Sequence, residues 1–114
     1  MYDKKNIFAK IIEKKLPSVI IYEDNKIIAF NDAVPLAPIH ILVVPKGEFI
    51  DYSHFIEQNS PDDIAYFFTK LYEIAKASCG GNFRICTNNG RRSGQTIFHF
   101  HVHIIGGAEL GGMA

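Results

Sequence analysis

Apolar residues recur along this chain at two periods, and the switches between them divide it into elements. Ile7, Phe8, Ile11 and Ile12 fall at helical spacing, with Asn6 ahead as a cap and Lys14 and Lys15 at the negative end of the dipole. Pro17 stops that helix. The β-branched run 18–22 predicts a strand, Glu23-Asp24-Asn25-Lys26 a turn, and 26–31 a second strand, so the pair makes a hairpin. Pro35 and Pro38 make 32–38 a loop. A third strand runs over 39–44 and stops at Pro45-Lys46-Gly47; 48–59 reads as irregular or a weak helical turn. The clearest helix start follows, with Ser60 as cap, Pro61 in the first turn, and Asp62 and Asp63 at the positive end. Ile64, Phe67, Phe68, Leu71, Ile74 and Ala75 supply its buried stripe, and Gly80-Gly81 ends it. Residues 83–87 predict a fourth strand, 88–95 a polar glycine-containing loop, 96–105 a fifth strand and 106–114 a glycine-rich tail. Short turns join the first three strands, which favours antiparallel pairing. The expected fold is α+β, a five-stranded antiparallel sheet with a short N-terminal helix and one long helix packed on one face.

Composition narrows the possible functions. At 114 residues the chain has room for one domain, and with 47% hydrophobic residues it can build a core, which excludes disorder except at the ends. Twelve Lys plus Arg balance twelve Asp plus Glu, so neither a general nucleic-acid footprint nor a polybasic membrane anchor is present. No apolar run reaches the roughly 18 residues of a spanning helix, and the N-terminus does not read as a signal peptide; a cytoplasmic location is expected. Cys79 and Cys86 are expected to be reduced thiols.

The informative stretch is Thr96-Ile97-Phe98-His99-Phe100-His101-Val102-His103-Ile104-Ile105. On a strand, alternate side chains share a face, so His99, His101 and His103 would look one way and Phe98, Phe100, Val102 and Ile104 the other, into the core. Neighbours two apart are roughly 6.5–7 Å from each other, which keeps His99 and His103 about 13 Å apart and unable to reach one atom together. The middle residue, His101, is therefore the reactive candidate. A neutral imidazole can attack phosphorus through one nitrogen if its other nitrogen holds a proton against a fixed acceptor. Carboxylates are scarce nearby, so a backbone carbonyl is the expected acceptor. Three further readings stay open from the pattern alone: structural histidines, a zinc site with His40 as a third ligand, and, for the loop Asn88-Asn89-Gly90-Arg91-Arg92-Ser93-Gly94-Gln95-Thr96, a plain turn rather than a phosphate cradle. His54 reads as a surface residue. Asp32, at the end of Phe30-Asn31-Asp32, could accept hydrogen bonds from a ribose diol or simply cap a turn.

The run from His99 to Ile105 resembles the His-φ-His-φ-His-φ-φ signature of the histidine triad family of nucleotide hydrolases and transferases, where φ is apolar. The resemblance extends over nearly the whole chain, through Ile7-Phe8-Ala9-Lys10-Ile11-Ile12, Phe30-Asn31-Asp32, Pro35-Leu36-Ala37-Pro38-Ile39-His40, Asn88-Asn89-Gly90, Ser93-Gly94-Gln95-Thr96 and Gly106-Gly107. Gly106-Gly107 resembles the Hint branch, whose members hydrolyse purine nucleoside 5′-phosphoramidates. The resemblance implies one such domain over 1–114, acting without a cofactor or metal as a homodimer whose sheets join through the long helix and the following strand. It implies His101 as the nucleophile, His103 and His40 completing a hydrogen-bonded cluster, and His99 in support. Gln95 and Thr96, with backbone N–H groups about Gly94, would hold the α-phosphate, and Thr96 would help protonate the leaving amine. Asn88 would lie near phosphate and ribose, Asp32 would hold the ribose hydroxyls, and Phe8, Ile11, Phe30, Asn31 and Leu42 would line the purine pocket. The chain departs from its relatives in three places. Thr96 stands where Ser is frequent, Phe8-Ala9 stands where some members carry two N-terminal cysteines for a structural zinc, so no zinc is expected, and the tail lacks the Trp-Pro end of eukaryotic members. The alternatives are a dinucleoside polyphosphate hydrolase and a non-catalytic nucleotide-binding module.

Overall fold

Asn6 and Ser60 start helices because their side chains accept from backbone N–H groups that the first turn leaves unpaired. Asn6 Oδ1 takes the Ala9 N–H at 2.9 Å and Ser60 Oγ that of Asp63 at 3.2 Å. The computed structural model describes residues 1–112; Met113 and Ala114, the end of the predicted tail, lie outside the described residues. Its helices are α1 (Ile7–Ile12), α2 (Tyr52–Gln58) and α3 (Pro61–Cys79), and its strands β1 (Ile20–Glu23), β2 (Ile27–Asn31), β3 (Ile39–Pro45), β4 (Phe83–Cys86) and β5 (Val102–Gly106). The strands form one antiparallel sheet in the order β1-β2-β3-β5-β4.

Strand periodicity splits the core in two. Ile27, Ala29, Ile41, Val43, Val102 and Ile104 face Phe55 of α2 and Phe67, Leu71, Ile74 and Ala75 of α3. Ile28, Phe30, Leu42 and Val44 face the opposite way and meet Phe8 and Ile11 of α1. The helices therefore lie on both faces, not on one as the sequence suggested; α1 is short enough to cover only part of its face, which leaves room for a cleft. Two more local differences matter. Residues 48–59 contain a true helix, α2, capped by Asp51, whose carboxylate accepts the His54 N–H at 2.8 Å. His54 is half-buried in it, with Nδ1 accepting from Ile50 N–H.

The fifth strand is also shorter than its alternation implies. It begins at Val102, and 96–101 run outside the ladder. In register, Val102 opposes Val43, so extension would set Phe100 against Pro45 at the end of β3. Proline has no N–H to give a ladder. Phe100 N–H turns instead to the Phe49 carbonyl at 2.7 Å. This places the first two histidines of the triad on irregular backbone, held by side-chain bonds.

Candidate active site

β3 and β5 bring two histidines together. Leu42 opposes His103 in register, so His40, two residues along and on the same face, is a diagonal neighbour within reach. Its Nε2 lies 2.9 Å from His103 Nδ1. The Leu36 N–H points at His40 Nδ1 from 3.0 Å, so that nitrogen is an acceptor. In the neutral ring, His40 Nε2 then carries the proton and donates to His103 Nδ1, which leaves the His103 proton on Nε2. Asp32 Oδ2 stands 3.4 Å from His40 Nε2 as a weaker second acceptor, while its Oδ1 takes the Val34 N–H at 2.9 Å. Asp32 thus caps its turn and also faces the histidine pair.

His101 is oriented differently. Its Nδ1 lies 2.7 Å from the backbone oxygen of His99; since a carbonyl only accepts, Nδ1 carries the proton and Nε2 keeps a lone pair. Among the described residues Nε2 has no hydrogen-bond partner, and no side-chain nitrogen or oxygen without a partner is sealed from solvent, so the lone pair is reachable. The acceptor is a backbone carbonyl, the type the sequence suggested. Phe8 and the His101 ring meet edge to face at 4.8 Å between centroids, and the His103 ring lies 5.1 Å away. Burial, only partly offset by the bond to the His99 carbonyl and by Asp32, pushes the His101 pKa below its ordinary value. At neutral pH the ring is uncharged, with the Nε2 lone pair free. Burial, with repulsion from His101 and His40, takes His103 down to about 4. His99 is fully buried, and burial takes it down to about 4 as well.

These groups open on a cleft of about 320 Å³ lined by Phe8, Asp32, His40, Leu42, Asn88, Gly94, Thr96, His101 and His103, with Val34, Leu36 and Ile97 completing the wall. Nine residues singled out in the sequence therefore meet at one cleft. Five do not line it. Ile11 and Phe30 are buried behind Phe8, and Asn31 is exposed at the end of β2. His99 sits beneath His101. Gln95 is buried and turned inward: its Oε1 accepts from Gly90 N–H and its Nε2 donates to the carbonyls of Ile50 and Ile97. Both of its N–H donors are thereby engaged, and the side chain braces the loop rather than lining the cleft. The loop carries a short 3₁₀ turn, Arg91–Ser93, closed by Gly94 in the left-handed region at φ 99°, a conformation that favours glycine. Val34, Leu36 and Ile97 had no signal in the sequence beyond being apolar near a loop.

Asp32, His40 and His103 are also the one group among the described residues whose ligand atoms cluster as a metal site would, within 4.8 Å of one another. The two imidazole nitrogens face each other across a hydrogen bond, and an ion at roughly 2.0–2.1 Å from each would have to replace that proton. Cys79 and Cys86 are free thiols, and burial raises the pKa of both. No described helix is long and apolar enough to cross a membrane.

Fold and site together define an antiparallel α+β domain that presents an oriented imidazole to a cleft walled by the loop at Gly94, Thr96 and Ile97. The HIT domain family matches residues 13–110, and the chain belongs to that family. It is 55% identical to an uncharacterized HIT-like protein of Rickettsia prowazekii over 99% of this chain and 96% of the relative. It is 36% identical to the adenylylsulfatase HINT1 of Arabidopsis thaliana, over 95% and 75%. A solved histidine triad protein from Clostridium difficile superposes with a TM-score of 0.87 at 35% identity, covering 100% of both chains.

Proposed function

We propose that the protein hydrolyses purine nucleoside 5′-phosphoramidates through a nucleotidyl-His101 intermediate, in the manner of the Hint branch. The observation that carries this reading is His101 itself, buried and neutral, with Nδ1 committed to the His99 carbonyl and Nε2 open to a cleft. Nε2 attacks the α-phosphorus, the phosphorus–nitrogen bond breaks, and the amine leaves with a proton relayed from solvent water through the hydroxyl of Thr96, which is exposed at the cleft. Water then attacks the nucleotidyl-histidine and releases the nucleoside monophosphate. Backbone N–H groups about Gly94 and Thr96 stabilise the phosphate charge, and the His103 Nε2–H adds a donor held in place by His40. Asn88 sits near phosphate and ribose, and Asp32 receives the ribose hydroxyls with Asn31 beside it. Phe8 and Leu42 take the base, backed by Ile11 and Phe30. The reading takes 1–114 as one domain and needs no cofactor.

The same reading includes a homodimer. β4 is an edge strand with Ile85 exposed, and Tyr72 is exposed on α3; a bare strand edge beside apolar side chains is a pairing surface. Sedimentation at micromolar concentration should give twice the chain mass, and a monomer would remove this part.

The name of the Arabidopsis relative supplies a second leaving group, sulfate, for the same attack on an adenylyl phosphorus. A panel of an adenosine phosphoramidate, adenylyl sulfate and a diadenosine polyphosphate tests the assignment. The highest kcat/KM is expected for the phosphoramidate. Faster cleavage of either rival would reassign the leaving group, and tight AMP binding without turnover of any would make the protein a binding module.

A further inference from the structure

We propose that Tyr2 is a positioning residue for nucleotidyl transfer, its hydroxyl fixing the His99 ring and thereby the backbone oxygen that aims His101. The inference rests on the reading above, and it starts from an unusual feature of His99, a fully buried imidazole with both nitrogens occupied. Nε2 lies 2.7 Å from the Pro45 carbonyl, which can only accept, so Nε2 carries the proton. A neutral ring then has a bare lone pair on Nδ1, and the Tyr2 hydroxyl donates to it from 2.5 Å. The rings meet edge to face at 5.5 Å between centroids. The opposite tautomer would set a lone pair of Nε2 against those of the Pro45 oxygen. Tyr2 and Pro45 together leave one ring state and one ring position.

The backbone converts that constraint into orientation of the nucleophile. Residues 96–101 have no ladder to hold them. The peptide joining His99 to Phe100 is fixed by two bonds: its N–H donates to the Phe49 carbonyl at 2.7 Å, and its oxygen, on the opposite side, accepts from His101 Nδ1 at 2.7 Å. The clamped His99 ring anchors the residue that begins this peptide. Tyr2 is carried by an ordered turn, in which Asn6 N–H and Nδ2 both donate to the Asp3 carbonyl, and that turn leads into α1, whose Phe8 packs on His101. The segment from Tyr2 to Phe8 therefore controls the reactive ring twice, once by contact and once through His99. Tyr2 does not line the cleft, so it touches no substrate.

Tyr2→Phe keeps the ring and removes the donor. With an adenosine phosphoramidate, kcat should fall roughly tenfold or more, because small displacements of a reacting atom are costly, while KM and AMP affinity stay within about twofold. Two-bond ¹H–¹⁵N spectra of the imidazoles should show His99 Nδ1 moving from the position of a hydrogen-bonded acceptor to that of a bare lone pair, with a linked change at His101 Nδ1. Wild-type kcat in a folded Tyr2→Phe protein would overturn the proposal, and so would a His99 change that leaves the His101 signals untouched. Inactivity of the wild-type protein on all three panel substrates would instead overturn the functional reading; the His101 spectra alone then decide whether Tyr2 aims that ring.

Discussion

Beneath α3 the sheet presents Ile27, Ala29, Ile41, Val43, Val102 and Ile104, all nearly or fully buried, closed over by Phe55, Phe67 and Leu71. On the other face the intervening positions of the same strands present Leu42 and Val44 together with His40 and His103, beside the two-turn α1. One period-two pattern therefore writes two surfaces. The first is covered by α2 and α3, and its fully buried side chains are hydrocarbon only. The second is half-covered, and the uncovered part is where imidazoles can meet a ligand and yet be desolvated enough to stay neutral. On the proposed function, stability and chemistry fall on opposite faces of β3 and β5, and substitutions should separate them.

The sharpest separation comes from His101→Ala. Turnover of a phosphoramidate should fall by about 10⁶-fold, the scale of losing a covalent nucleophile, with AMP still bound and the melting curve little changed. A drop of less than tenfold would take His101 out of the reaction. Phe67→Ala probes the other face. Emptying a wholly buried phenyl site should cost about 3–5 kcal/mol of unfolding free energy, measured by urea titration, with kcat/KM per folded molecule within about twofold. A large loss of catalysis at full folding would show that the faces are not independent.

Acid should act through the histidine face. His99 and His103 are held near 4 against an ordinary 6.5, chiefly by burial. Between those values the unfolded chain binds protons that the native protein refuses, so unfolding free energy falls as pH drops from about 6.5 and the contribution levels off near 4. For the fully buried His99 alone this is on the order of 3 kcal/mol. Urea midpoints across that window should decline for the wild-type protein and decline less for His99→Asn; equal slopes would remove His99 as the source.

Most of the closed face was legible from sequence, because caps, prolines and helical periodicity act locally. The Ser60-Pro61-Asp62 start and the Gly80 stop of α3 need no knowledge of the rest of the chain. The histidine face was legible only where strands continue. Strict alternation from Phe98 to Ile104 reads as one long strand, but Pro45 closes the ladder at Val102, and that depends on a residue more than fifty positions away. Asp51 is a cap signal for α2, yet the helix has only Phe55 fully buried and so no stripe to find. Gln95 has the right chemistry for a phosphate donor, and only the positions of Gly90, Ile50 and Ile97 reveal that its amide is already engaged. Tyr2, 97 residues from His99, lies beyond any local pattern.

The proposed reaction stands on a transient bond between His101 Nε2 and a nucleotide's α-phosphorus. Rapid mixing of the protein with excess adenosine phosphoramidate, quenching within the first turnover and fragmenting the peptides by mass spectrometry reads that bond directly. An adenylyl group on His101 should appear before free AMP and decay as AMP forms. An adduct on His99, His103 or His40, or a full burst of AMP with no adduct on any residue, would contradict it.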